Sequence, residues 1–214
     1  MDSAGCDIFR FISRRCRILD KVKEQTELEL LDVINYYESK IKPYKYIYRF
    51  KNNLTLEFQI EEDQICHLLI GTLPKGMANK CKYKGQEGYK NIKSGILKLS
   101  NLPPQIDKRK VKNRCRAFLK LDKILQNPKA IIYNPNIIKK GSSIKLGKSV
   151  LQAEYLFYKI IDEKIVHVFL RNDNKSENIV VVSLFEQAKT KDEYITDQVN
   201  LEVVTKEKEL VDKK

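Results

Sequence analysis

This chain has only two histidines, no Cys-x-x-Cys pair and no long apolar run. The five cysteines (Cys6, Cys16, Cys66, Cys81 and Cys115) are odd in number and widely spaced, which argues against a zinc ribbon or a dithiol redox motif. His67 and His167 are too few to complete a Cys/His cage, since structural zinc takes four close ligands. Free thiols in a reducing cytoplasm are the plain reading. No stretch approaches the ~18 apolar residues of a membrane-spanning helix. The first residues, with Asp2, Asp7 and four arginines from Arg10 to Arg17, lack the apolar core of a secretory leader. The phosphate-binding loop is also missing: Lys139-Lys140-Gly141-Ser142-Ser143 lacks the first glycine. There is no Gly-x-Ser-x-Gly elbow either. Carboxylates with metal-nuclease spacing are absent from the basic middle of the chain, which disfavours a two-metal nuclease. No metal or other cofactor is called for.

What is present is positive charge, unevenly placed. The chain of 214 residues carries a net +13. Residues 75–148 hold 20 Lys or Arg against three acids (Glu87, Asp107, Asp122), a local net of +17, whereas the other 140 residues hold 21 basic and 25 acidic, a net of −4. A lysine-rich genome would raise lysine everywhere and would not remove acids from one segment. The asymmetry points to a polyanion, RNA or DNA first, with an acidic protein as the alternative and an anionic membrane least.

Periodicity predicts an α+β chain. Residues 7–40 carry apolar residues at helical spacing, closed by Pro43. Residues 44–50 and 55–60 alternate on either side of Lys51-Asn52-Asn53 and predict a hairpin. A short helix over 61–70 stops at Gly71. Another is expected near 89–97, and a strong one over 110–126, whose stripe of Val111, Phe118, Leu121 and Leu125 includes Arg114. Strands follow over 130–133, 153–160, 164–171 and 178–185, the last three as a meander, with a less distinct one near 201–204. The division expected is an N-terminal helical segment over 1–42, a domain over 43–205 and a charged, frayed tail over 206–214.

Cleaving RNA without a metal requires a base for the 2′-hydroxyl, an acid for the leaving oxygen and cations for the phosphate. Histidine suits the proton work. His67 lies close to the basic segment; it also fits a capping or packed histidine. His167 shares a strand face with Ile165 and Phe169 and fits an inner-face histidine. Arg114, on the apolar stripe, is either held toward a site or part of a buried ion pair. Ser183 ends an apolar strand and fits a ladder-end hydroxyl as well as a site residue. Lys90 and Lys93, three apart, together with Arg116 and Lys120, are read as tracking nucleic-acid phosphates.

Taken in order, Tyr46-x-Tyr48-x-Phe50 with Asn52-Asn53, His67-Leu68-Leu69-x-Gly71, Ile92-Lys93-Ser94-Gly95, Arg114-x-x-x-Phe118-x-x-Leu121, and Ser183-Leu184-Phe185 followed by Tyr194 and Gln198 resemble the phage-associated Barnase–EndoU–colicin–RelE-like (BECR) nuclease domains, fourth class. The resemblance covers roughly residues 40–200. It implies N-terminal helices packed on an antiparallel sheet of four to six strands, and metal-independent RNA cleavage through a 2′,3′-cyclic phosphate. It further implies a toxin, phage-effector or phage-defence role, with tRNA among the substrates of such domains. The positions that carry over are His67 for proton transfer, Arg114 for phosphate charge and Ser183 for orienting phosphate or sugar. An acidic antitoxin or inhibitor protein fits as partner. The N-terminal helix is open to three readings: regulatory, simply packed, or a route to homo-oligomers. The competing functional reading is a non-catalytic RNA- or DNA-binding protein that uses residues 75–148.

Overall fold

The computed structural model describes residues 28–139, 146, 147, 149–173 and 178–211. Of the helix expected over 7–40, residues 7–27 with their arginines lie outside the described residues, as do Cys6, Cys16 and any oligomer contact made there.

Helix α1 (Leu30–Tyr36) begins where the Glu29 amide donates to the Asp32 carboxylate at 2.9 Å, and it runs into a π-helical turn over Tyr37–Ile41. Leu30, Val33, Ile34, Tyr37 and Ile41 fall on one face and are fully buried. The Tyr37 hydroxyl donates to the Ile60 carbonyl at 2.9 Å. Helix α1 is therefore part of the core, and residue 42 marks no break in packing.

Strands β1 (Tyr44–Phe50) and β2 (Thr55–Phe58) form the expected hairpin, with Tyr46 opposite Phe58 and Tyr48 opposite Leu56. Asn53 takes the positive φ (64°) at its tip. Helix α2 (Glu62–Ile70) ends at Gly71. A 3-10 turn (Lys80–Tyr83) leads into α3 (Gly85–Lys93). The single helix expected over 110–126 is instead two. Helix α4 (Lys108–Phe118) starts at Asp107, whose side chain accepts from the amides of Arg109 and Lys110; α5 (Leu121–Gln126) follows after a tight turn at Leu119 and Lys120. The apolar stripe continues through that turn, so periodicity alone does not reveal it; the break directs Lys120 to Glu186.

Strands β3 (Lys129–Ile132), β6 (Tyr155–Ile161), β7 (Lys164–Asn172), β8 (Ile179–Ala188) and β9 (Val199–Leu201) form a five-stranded antiparallel sheet in the order β8-β7-β6-β3-β9. Short strands β4 (Ile138–Lys139) and β5 (Leu146–Gly147) pair with each other. The β6–β7 turn has both Asp162 (φ 51°) and Glu163 (φ 57°) in the left-handed region, as a two-residue hairpin turn of this twist needs.

The C-terminal segment corrects an expectation. Residues 206–210 are not a frayed tail: they belong to β10 (Val203–Leu210), which pairs with β1 from Tyr44↔Leu210 to Phe50↔Val203. The strands thus divide between a three-stranded sheet, β10-β1-β2, and the five-stranded one. Charges alternate along this ribbon: Lys45 bridges Glu57 (2.9 Å) and Glu209 (3.3 Å), and Arg49 pairs with Glu207.

Helices and hairpin pack on one face of the five-stranded sheet, burying Phe157, Val166, Val168, Leu170, Val181 and Leu184. A second cluster on the opposite face gathers Ile131, Tyr133, Leu156 and Phe169, with Phe185, Tyr194 and Ile195 against them. Strand β8 is bulged. Phe169 pairs with Ser183 and Leu170 with Val181, so Val182 is the extra residue. That is why Val181 and Leu184, three apart, share a face.

Candidate active site at the bulged edge strand

Helices α2 and α4 cover the outer edge of β8, and side chains from both bond to its backbone. His67, near the C-terminus of α2, places Nε2 3.2 Å from the Val182 carbonyl. Asn113, on α4, donates from Nδ2 to the Glu186 carbonyl (2.9 Å) and accepts the Glu186 amide at Oδ1 (3.1 Å). Its amide thus acts as one more rung on a strand edge that would otherwise be open. Lys120 adds an ion pair to the buried Glu186 carboxylate at 3.0 Å, with Asp162 at 3.7 Å.

Arg114 follows Asn113 and turns to the end of α2. Its Nη1 donates to the His67 carbonyl at 3.2 Å, the same oxygen that accepts the Gly71 amide at 2.8 Å. Gly71 makes this approach feasible. It sits at φ +85°, and a Cβ there would lie 2.5 Å from Arg114 Nη1 and 2.9 Å from Cζ. The sequence reads this glycine as a helix stop; it is also the seat of a guanidinium.

The environment of His67 defines what the ring can do. Although solvent still reaches the side chain, partial burial holds its pKa below the usual histidine value. The Arg114 charge lowers it further, the Val182 carbonyl raises it, and the Arg171 charge again lowers it. His67 is therefore neutral near pH 7. A carbonyl can only accept, so the neutral ring carries its hydrogen on Nε2 and leaves the Nδ1 lone pair available. Burial also lowers Arg114, but a guanidinium stays protonated.

The structure brings His67 and Arg114 together and leaves Ser183 apart. Ser183 is buried on the opposite sheet face, across from Phe169, and its Oγ has no hydrogen-bond partner among the described residues. His167 lies on that same face, fully buried among Phe169, Phe185 and Tyr194 at ring distances of 6.0, 5.2 and 5.6 Å. Burial pushes its pKa down to about 4. Of the cations read as phosphate contacts, Lys90 and Arg116 are exposed. Lys93 instead pairs with Glu38, and Lys120 with Glu186. Among the described residues no group of three His, Cys, Asp or Glu could hold a metal ion, and no helix is long and apolar enough to cross a membrane.

The family model described as phage-Barnase-EndoU-ColicinE5/D-RelE like nuclease4 matches residues 29–214. The chain belongs to this BECR nuclease family. Comparison with curated proteins and with solved structures returns no match. The matched span opens at Glu29, the cap of α1, and takes in β10. Helix α1 and the charged last strand are thus within the BECR nuclease domain. Sequence reasoning missed Asn113 and the Val182 bulge. The one signal for Asn113 was an amide in the middle of a basic helix, where helix propensity alone would not place it.

Proposed function

We propose that this BECR nuclease is a metal-independent endoribonuclease with His67 and Arg114 at its reactive centre. The observation that carries the reading is a neutral, solvent-reachable imidazole of fixed tautomer held beside a guanidinium. In this reading His67 Nδ1 takes the proton of a 2′-hydroxyl. The 2′-oxygen then attacks the adjacent phosphorus and the bond to the 5′-oxygen breaks. The leaving oxygen takes up a proton, and a 2′,3′-cyclic phosphate remains. Arg114 offsets the charge that builds on the phosphoryl oxygens. Ser183 enters through its backbone, one residue after the carbonyl that orients His67. His167, sealed from solvent, is the weaker candidate for proton transfer. Lys90 and Arg116, exposed on α3 and α4, supply charge for the RNA backbone.

The same reading extends to a cytoplasmic toxin, phage-effector or phage-defence protein, with tRNA as a candidate substrate and an acidic inhibitor protein as a candidate partner. The test is incubation with total RNA and with purified tRNA in EDTA, followed by analysis of the fragment ends. Cyclic phosphate ends are expected, and His67→Ala should bind RNA without cutting it. Cleavage that needs a divalent ion, or full cleavage by His67→Ala, overturns the assignment. Salt-sensitive binding with no product would favour the non-catalytic RNA- or DNA-binding reading.

A further inference from the structure

A cavity of about 630 Å³ opens where β3, β6 and β7 reach the same end of the five-stranded sheet. Its floor includes the buried residues Tyr133 and Ala153; its rim carries Asn134, Gln152, Glu154 and Asn172, all exposed, with Arg171 on its wall. The volume falls in the range of small-ligand sites. The chemistry of the rim is mixed. Two kinds of amide group and a carboxylate offer both donors and acceptors, and Arg171 is the only cation among the lining residues. A site for bare phosphate would not place Glu154 on its rim. A site for a nucleobase would, because amides and a carboxylate pair with the donor and acceptor edges of an unstacked base.

The wall is held in shape before any ligand arrives. Gln198 accepts the Asn134 amide at 2.7 Å and donates to the carbonyls of Asn134 (3.2 Å) and Ile137 (2.7 Å). The Asn134 side chain caps its own turn by accepting the Asn136 amide at 2.9 Å. Tyr133 bonds through its amide to the Glu154 carbonyl at 2.7 Å, and Glu154 through its amide to Leu170 at 2.9 Å. The Glu154 carboxylate is itself oriented by Asn172.

Position links this cavity to the reactive centre. Arg171 pairs in register with Val180 on β8, and Val182, two residues further along that strand, holds His67. Two residues of strand span roughly 7 Å, and the step from β7 to β8 adds about 5 Å. Along β7, Arg171 alternates with Phe169 and His167 and so shares the face that bears the cavity floor.

We propose that this cavity is a base-binding subsite for the nucleotide next to the scissile phosphate. Arg171 contacts the phosphate between the two sites, and Gln152 and Glu154 set the base preference. The inference rests on the ribonuclease reading for what lies next door, but its recognition of single-stranded RNA can be measured alone. The experiment uses the full chain carrying His67→Ala, so that RNA survives, and four homopolymeric oligoribonucleotides followed by fluorescence anisotropy over a range of salt. Adding Arg171→Ala should weaken binding about tenfold and reduce the salt slope by about 1 for all four. Arg171→Lys should restore the slope. Gln152→Ala combined with Glu154→Gln should reorder the four affinities while leaving the slope unchanged. An unchanged slope in Arg171→Ala, or an unchanged order in the double variant, overturns the subsite. If the wild-type chain fails to cut RNA yet the double variant reorders binding, the nuclease reading falls and the subsite stands.

Discussion

His67 Nε2 lies 3.2 Å from the carbonyl oxygen of Val182, the one residue that β8 pushes out of register. One extra residue in an edge strand therefore decides which imidazole nitrogen is left for chemistry. Because burial and Arg114 lower the His67 pKa, the ring is already deprotonated below the ordinary value of 6.5. Cleavage should rise with pH through an apparent pKa under 6.5 and then level off. Replacing His67 by Ala should cost roughly 10²- to 10⁴-fold in rate. Single-turnover rates from acid to mildly alkaline pH give the answer; a rate that falls as pH rises through that window counts against His67 as base.

Gly71 and Gly76 provide a matched pair. Both have positive φ (+85° and +77°), but only at Gly71 would a Cβ collide with another group, Arg114; Gly76 has nothing within 4 Å. Alanine at either position is strained by the positive φ, and at Gly71, where ψ is −158°, the backbone is one that only glycine adopts readily, at a cost of about 1–3 kcal/mol. Gly71→Ala should also displace Arg114 and lower RNA cleavage as far as Arg114→Ala does, while Gly76→Ala stays near wild type. Urea denaturation and cleavage rates separate the two effects. Equal activity in the two glycine variants would show that the close approach is unimportant.

His167 should make the fold acid-sensitive. Its folded pKa of about 4 lies below the unfolded value of 6.5, so the unfolded state binds the extra proton in between. Its contribution is fully present above pH 6.5 and is lost as pH falls toward 4, reaching about 3 kcal/mol. His167→Phe, a ring among the rings of Phe169, Phe185 and Tyr194, should flatten this slope. Denaturation midpoints at several pH values test it, and a variant with the same acid sensitivity as wild type would assign the effect elsewhere.

The four cations read as phosphate contacts should divide. Lys90→Ala and Arg116→Ala, both at exposed positions, should weaken RNA binding and reduce the salt slope by about 1 each. Lys120→Ala should instead cost about 2 kcal/mol of stability, because it strands the buried Glu186 carboxylate. Lys93, paired with exposed geometry to Glu38, should affect both quantities little. Binding isotherms at two salt concentrations, together with thermal melts, would reveal any other ranking.

The sequence makes the first hairpin, the helix that stops at Gly71 and the β6–β7–β8 meander legible, because each writes its period and its turn residues locally. The closeness of His67 and Arg114 was half visible: an arginine on an apolar stripe has to be held somewhere. The far-side position of Ser183 was not, since a bulge leaves no mark on an alternating apolar strand yet sets two neighbours on the same face. Strand β10, of which only the start lay in the strand expected near 201–204, was hidden for another reason. Thr205-Lys206-Glu207-Lys208-Glu209 has no apolar face, and its partners Arg49 and Glu207 stand 158 residues apart. Asn113 resembles any other polar helix residue until the edge of β8 is seen beside it.

That separation has a consequence for how the molecule comes into being. Contacts so distant along the chain carry the largest loop-closure entropy, so they form late and only once both ends exist. Strand β1 keeps an open side until Leu210 has been made and laid against Tyr44. The hairpin shares its core with α2, the helix that bears His67. Until β10 is in place the hairpin has an unpaired edge, and the helix that carries His67 packs on an unfinished frame.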